Sequence, residues 1–132
     1  MKTVVRSGKE GMLIQNNKLY EIKAADVPNS DGFTPIELLT GSLGLCVFIS
    51  ISRMLERDGI KWQEDELNIS VTAEKAEKGP SRVEQFKVEV AMPASLDKSY
   101  RNKLLRSAEK ACTIGNTLKN GAAIYLRERE GE

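Results

Sequence analysis

The stretch Thr34–Gly59, TPIELLTGSLGLCVFISISRMLERDG, decides the fold. Thr34 is a preferred N-cap, Pro35 suits the first helical position, and Glu37 three residues after the cap completes a capping box. Apolar residues follow at Ile36, Leu38, Leu39, Leu43, Leu45, Cys46, Val47, Phe48, Ile49, Ile51, Met54 and Leu55. Charge returns at Arg53, Glu56, Arg57 and Asp58, and Gly59 offers a C-terminal stop. Positions 43 to 49 are apolar nearly all round, whereas a surface helix shows polar residues on one side every turn. Such a helix must be covered on every side, so we expect a second subunit to supply part of the cover. Gly41 and Gly44 each cost roughly 1 kcal/mol relative to Ala in a helix interior. A close contact or a kink is expected at one of them.

Outward from this helix, residues 24–32, with Pro28, Asn29, Ser30, Asp31 and Gly32, have the composition of a loop. Upstream of the loop, Thr3–Arg6, Met12–Gln15 and Leu19–Lys23 read as short strands. The segments Gly8-Lys9-Glu10-Gly11 and Asn16-Asn17 join them as hairpin turns. Downstream, Leu67, Ile69, Val71 and Ala73 alternate with polar residues, as do Phe86, Val88, Val90 and Met92. The link Lys78-Gly79-Pro80-Ser81 makes the two runs a hairpin with one face inward. A second amphipathic helix is expected from about Leu96 to Ala111, with Tyr100, Leu104, Ala108 and Ala111 at helical spacing and Cys112 at its end. Asn116, Thr117 and Leu118 read as a short helical turn, Gly121 as its break, and Ala122–Arg127 as a final strand. The order of strands, helix, strands, helix, strand gives an α+β fold: antiparallel sheets packed around a central buried helix.

With 132 residues, 40% of them hydrophobic, the chain has material for one core, and we expect a single domain over residues 1–132. Twenty basic groups face 19 acidic ones for a net charge of +1, so no global field draws the chain to nucleic acid or an anionic membrane. Met1–Gly11 shows no apolar core of a secretion signal, and the apolar stretch Leu38–Ile51 falls short of the roughly 18 residues of a membrane span. A cytoplasmic protein with no nucleic-acid or membrane partner is expected.

Two cysteines in a cytoplasmic chain are either small buried hydrophobes or redox groups. The absence of histidine removes the Cys-His nucleophilic pair and the common zinc-ligand sets. A thiolate here must be activated by Lys, Arg or a helix terminus. Cys46 sits mid-helix, where its own helix dipole gives no help unless Gly41 or Gly44 breaks the helix, so a cationic neighbour is expected.

Three stretches resemble the OsmC/Ohr superfamily. Thr34-Pro35-Ile36-Glu37-Leu38-Leu39 resembles its Pro-x-Glu-Leu helix start, and Gly41-Ser42-Leu43-Gly44-Leu45-Cys46 its small-residue run into the first cysteine. Cys112-Thr113-Ile114-Gly115-Asn116-Thr117-Leu118 resembles its Cys-Pro-Val-Ser segment, with Thr113 where proline is usual. The resemblance implies an intertwined homodimer and a thiol-dependent peroxidase with neither metal nor organic cofactor. By that resemblance Cys46 attacks an organic hydroperoxide or hydrogen peroxide, Cys112 closes a disulfide onto the product, and a thiol or dithiol reductant restores both.

The turn Gly8-Lys9-Glu10-Gly11 stands where the organic-hydroperoxide branch resembled here has Gly-Arg-Asp-Gly, so Lys9 supplies a point charge in place of a bidentate fork. Glu37, nine residues before Cys46, fits the shorter OsmC-like branch and serves equally as the capping-box partner of Thr34. Catalytic candidates are thus Cys46, Cys112, Glu37 and Lys9, with Arg6, Arg53 and Arg82 as further cations. Lys98, Arg101, Lys103, Arg106 and Lys110 read as the wet face of the second helix. The rival reading is a weakly reactive or non-enzymatic dimer that binds a small hydrophobic ligand in a cleft lined by the cysteines.

Overall fold

The computed structural model describes residues 1–130. Its elements are β1 (Val4–Gly8), β2 (Gly11–Gln15), β3 (Glu21–Lys23), α1 (Pro35–Arg57), β4 (Asn68–Lys75), β5 (Val83–Ala91), α2 (Lys98–Ala111) and α3 (Thr113–Asn120), with one 3-10 turn at Glu64–Glu66. The chain forms two compact units, one of Met1–Leu45 with Ile69–Val90, the other of Cys46–Asn68 with the chain from Ala91 onward.

In the first unit, β1, β2 and β3 form an antiparallel meander in that order. Arg6 pairs with Leu13 and Ile14 with Ile22, so the turns expected at residues 8–11 and 16–17 set the register. Gly11, at φ 114°, takes a backbone conformation open chiefly to glycine. β4 and β5 make a separate two-stranded sheet in which Ile69, Val71 and Ala73 alternate inward as expected, while Val88 remains 38% exposed.

Helix α1 begins as its sequence requires. The Thr34 amide donates to Glu37 Oε1 at 2.8 Å and the Glu37 amide to Thr34 Oγ1 at 3.2 Å, closing the capping box. Its end is a Schellman motif: the Ile60 amide reaches the Leu55 carbonyl at 2.9 Å and the Gly59 amide the Glu56 carbonyl at 3.0 Å, with Gly59 at φ 70°. The helix is unbroken through Gly41 and Gly44. At Gly44 an added Cβ would lie 3.2 Å from Val71 Cγ2, so close approach explains that glycine; Gly41 meets nothing within 4 Å.

Leu43, Val47, Ile51 and Leu55, spaced four apart, form the buried stripe of α1. Leu45, at 60%, and Ile49, at 36%, face outward, so a single chain leaves part of the apolar circumference uncovered. The expected shortfall in span length is corrected. The apolar window extends past Ile51 through Met54 and Leu55, and the 23-residue helix is long and apolar enough to cross a membrane by length and composition. Core helices pass the same test, and Ile51 and Leu55 are fully enclosed by protein.

In the second unit, α2 starts at Lys98, later than the expected Leu96, because the Asp97 carboxylate caps it by accepting the Tyr100 amide at 2.8 Å. Its inner face buries Leu104 and Ala108, and Lys98, Lys103, Arg106 and Lys110 stay exposed. The Tyr100 hydroxyl donates to Asp58 Oδ2 at 2.5 Å, tying α2 to the end of α1. Partial burial and this bond push the Tyr100 phenol up to about 12, while the same bond, followed by Arg57, holds Asp58 below the usual carboxylate range.

Two expectations near the C-terminus are corrected. The short turn at residues 116–118 is a full helix, α3, starting directly at Thr113. Ala122–Arg127 is not a strand: among the described residues it pairs with none, and Ile124, Tyr125 and Leu126 are 90% or more exposed. β-propensity favours extension, but a strand exists only where a neighbour accepts its ladder of hydrogen bonds.

Candidate active site

Cys46 lies half-buried on α1 and Cys112 is 2% exposed at the junction of α2 and α3; both are free thiols in the second unit. Cys112 ends one helix and begins the next. Its amide donates to the Ala108 carbonyl at 2.9 Å as the C-cap of α2, and its carbonyl accepts the Asn116 amide at 2.9 Å as the N-cap of α3. The amides of Thr113, Ile114 and Gly115 therefore lack intrahelical acceptors, as the first amides of every helix do. Gly115 donates to Cys112 Sγ at 3.2 Å.

The environments of the two thiols push their ionisation in opposite directions. Burial pushes the Cys46 thiol up, but hydrogen bonding from the Ile114 amide, the Cys112 thiol and the Thr113 amide outweighs it, so the net displacement is downward. For Cys112, burial is the largest influence and pushes the thiol up; the Gly115 amide opposes it, and the nearby Cys46 sulfur adds to it. The Cys46 thiol is thus the more readily ionised of the two, and the Cys112 thiol holds its proton to higher pH. A thiolate nucleophile next to a thiol that can condense with its oxidised form is the minimum equipment for dithiol redox chemistry.

Glu37 and Lys9 lie in the first unit. Glu37 is engaged by the Thr34 amide in the capping box, and Lys9 is exposed in the β1–β2 turn without an ion pair among the described residues. Arg6 is paired with Glu21, and Arg82 donates to the carbonyls of Lys78 and Pro80. Arg53 is exposed on α1. α1 stays intact through Gly41 and Gly44, so of the activators that the sequence allowed a thiolate, the helix terminus in the same unit as Cys46 is the start of α3. Sequence reasoning missed this by starting the helical turn at Asn116; begun at Thr113, the same turn would have made Cys112 its cap.

Among the described residues no cluster of His, Cys, Asp or Glu is arranged to hold a metal ion. A groove of about 530 Å3, lined by Phe48, Ser52, Glu56, Ile60, Lys61 and Trp62, runs along α1. Phe48 and Trp62 meet edge to face in it at 6.0 Å. Two helical positions correspond to about 200° of rotation, so Phe48 points away from the face that carries Cys46. Neither cysteine lines this groove.

Known structures share this architecture. An OsmC-like protein from Mycoplasma pneumoniae superposes with a TM-score of 0.77 at 16% identity, over 91% of this chain and 87% of that one. The organic hydroperoxide resistance protein OhrB of Bacillus subtilis gives 0.60 at 19%, over 91% and 90%. The organic hydroperoxide resistance protein OsmC from Legionella pneumophila gives 0.61 at 15%, over 90% of each. No curated protein matches the chain by sequence. The profile of the OsmC-like protein family matches residues 28–127, a span that takes in α1, both sheet-forming runs after it and both cysteines, and the chain belongs to that family.

Proposed function

We propose that this protein is a thiol-dependent peroxidase that reduces organic hydroperoxides or hydrogen peroxide as part of a cytoplasmic antioxidant stress response. The observation that carries the reading is the asymmetry of the two thiols, Cys46 drawn down by hydrogen bonding and Cys112, buried at the α2–α3 junction, held up by desolvation. The Cys46 thiolate attacks the peroxide oxygen, the O–O bond breaks, and an alcohol or water leaves with the proton. The resulting sulfenic acid condenses with the Cys112 thiol to a disulfide and water, and a thiol or dithiol reductant returns two electrons and two protons. The names of the Bacillus subtilis and Legionella pneumophila relatives, both organic hydroperoxide resistance proteins, support this substrate class. Lys9 and Glu37 are secondary in the scheme, Lys9 as an auxiliary cation and Glu37 chiefly as the anchor of the helix that carries Cys46.

One equivalent of cumene hydroperoxide added to the reduced protein under anaerobic conditions is expected to remove two titratable thiols. Loss of none, with both cysteines recovered as free thiols by mass spectrometry, would defeat the peroxidase reading. The second reading, a binder of small hydrophobic ligands, would show ligand-dependent stabilisation without thiol loss.

The homodimer belongs to the same proposal. Leu45 and Ile49 on α1 and Ile124, Tyr125 and Leu126 near the C-terminus are exposed, apolar surface of the kind a second copy would cover. Sedimentation at low micromolar concentration should give twice the mass of the chain, and dissociation on dilution should coincide with unfolding. A stable folded monomer would rule the dimer out.

A further inference from the structure

We infer that residues 122–128 of one chain occupy the α1 groove of a second copy, each copy giving its segment to the other. This rests on the homodimer proposed above and names a contact that holds it. The segment leaves α3 at Gly121, whose amide donates to the Thr117 carbonyl at 2.8 Å and whose φ of 75° suits glycine. Beyond it Ile124, Tyr125 and Leu126 are 90%, 91% and 98% exposed, and none of them belongs to a strand or helix. Consecutive large apolar side chains left in water mark a surface that another molecule covers.

The groove offers what such a segment lacks. Phe48, Ser52 and Glu56 stand four apart on one face of α1, and Ile60, Lys61 and Trp62 complete the lining. Its apolar part is the half-buried pair of Phe48 and Trp62. Its charges are Glu56 and Lys61, one of each sign, and neither makes a salt bridge among the described residues. In the segment, Ile124-Tyr125-Leu126 is followed by Arg127-Glu128, again one charge of each sign. Alternate side chains of an extended chain face one way, so Ile124, Leu126 and Glu128 share a side. The first two cover Phe48 and Trp62, Glu128 meets Lys61, and Arg127 reaches Glu56 from the rim. No residue of the segment lines the groove of its own chain, so the donor is another copy. Because each copy carries both halves of the contact, the exchange closes on two chains.

The experiment follows the full chain by sedimentation and the groove by the fluorescence of Trp62, its only tryptophan. Leu126→Asp should raise the dissociation constant of the dimer by about a hundredfold, since both contacts lose a buried leucine. Trp62 emission should then move to the red and open to acrylamide quenching. Lys61→Glu and Glu128→Lys should each weaken the dimer by about tenfold, because an attraction becomes a repulsion at both contacts. Coexpressed, these two variants should pair with each other in preference to themselves, since in the mixed dimer every segment again meets a groove of opposite charge. A segment folded into its own groove gains nothing from mixing, so absence of preferred mixed pairing would overturn the inference, even where each variant alone is poorly folded. Leu126→Asp that dimerises like the parent, with Trp62 quenched to the same extent, would also overturn it and leave the homodimer standing with some other occupant in the groove. A parent protein that sediments as a monomer would defeat the homodimer itself, and this contact with it.

Discussion

Cys46→Ser is expected to reduce hydroperoxide consumption to the uncatalysed background, whereas Cys112→Ser consumes one equivalent and stops. A serine hydroxyl at position 46 remains protonated in an environment that only favours a thiolate, so the nucleophile is lost outright. At position 112 the first step survives, because the nucleophilic thiol of Cys46 is unchanged. Serine is also a preferred N-cap and can accept the Gly115 amide in place of the sulfur, so the start of α3 is preserved. What is missing is the second thiol, and the sulfenic acid at Cys46 accumulates, open to sulfinic acid in excess peroxide. Intact-mass spectrometry reads the added oxygen directly. Steady turnover by Cys112→Ser with a dithiol reductant would show that Cys112 does not resolve the product.

The second large effect is on stability. Leu55→Ala should destabilise the protein by about 2–5 kcal/mol, the cost of deleting a buried leucine and leaving an unfilled cavity. Leu55 is fully enclosed, at the end of the stripe that begins at Leu43, and its carbonyl also accepts the Ile60 amide of the Schellman motif. The hydrogen bond is made by the main chain and survives the substitution, so the loss is one of packing. A domain of this size has about 5–15 kcal/mol in total, which makes the loss a large fraction of the whole. Urea unfolding should show a lower midpoint with an unchanged slope. A loss below about 1 kcal/mol would mean that the end of α1 repacks freely, contrary to an interior as dense as an organic crystal.

Helix α1 was readable because its signals are local. Thr34, Pro35 and Glu37 fix the start through bonds within four residues, and Gly59 fixes the stop through a backbone conformation that side chains disfavour. The β1–β2 register was readable for the same reason, since a tight turn at residues 8–11 leaves one way to pair its flanks. The failures share the opposite cause. Ala122–Arg127 has the composition of a strand but no partner among the described residues, and pairing is not a property of the segment that pairs.

The candidate site divides along the same line. That Cys46 and Cys112 were the groups to watch followed from the sequence, because without histidine few other residues can carry nucleophilic or redox chemistry. Which of the two is the nucleophile, by physics and apart from resemblance, did not follow. The sequence therefore determined α1, the β1–β2 register, the family and the pair of thiols. Only the tertiary structure decided that the two thiols differ, Cys46 lowered by hydrogen bonding and Cys112 raised by burial. Hydrogen bonding and desolvation depend on where atoms lie in space, which spacing along the chain does not give.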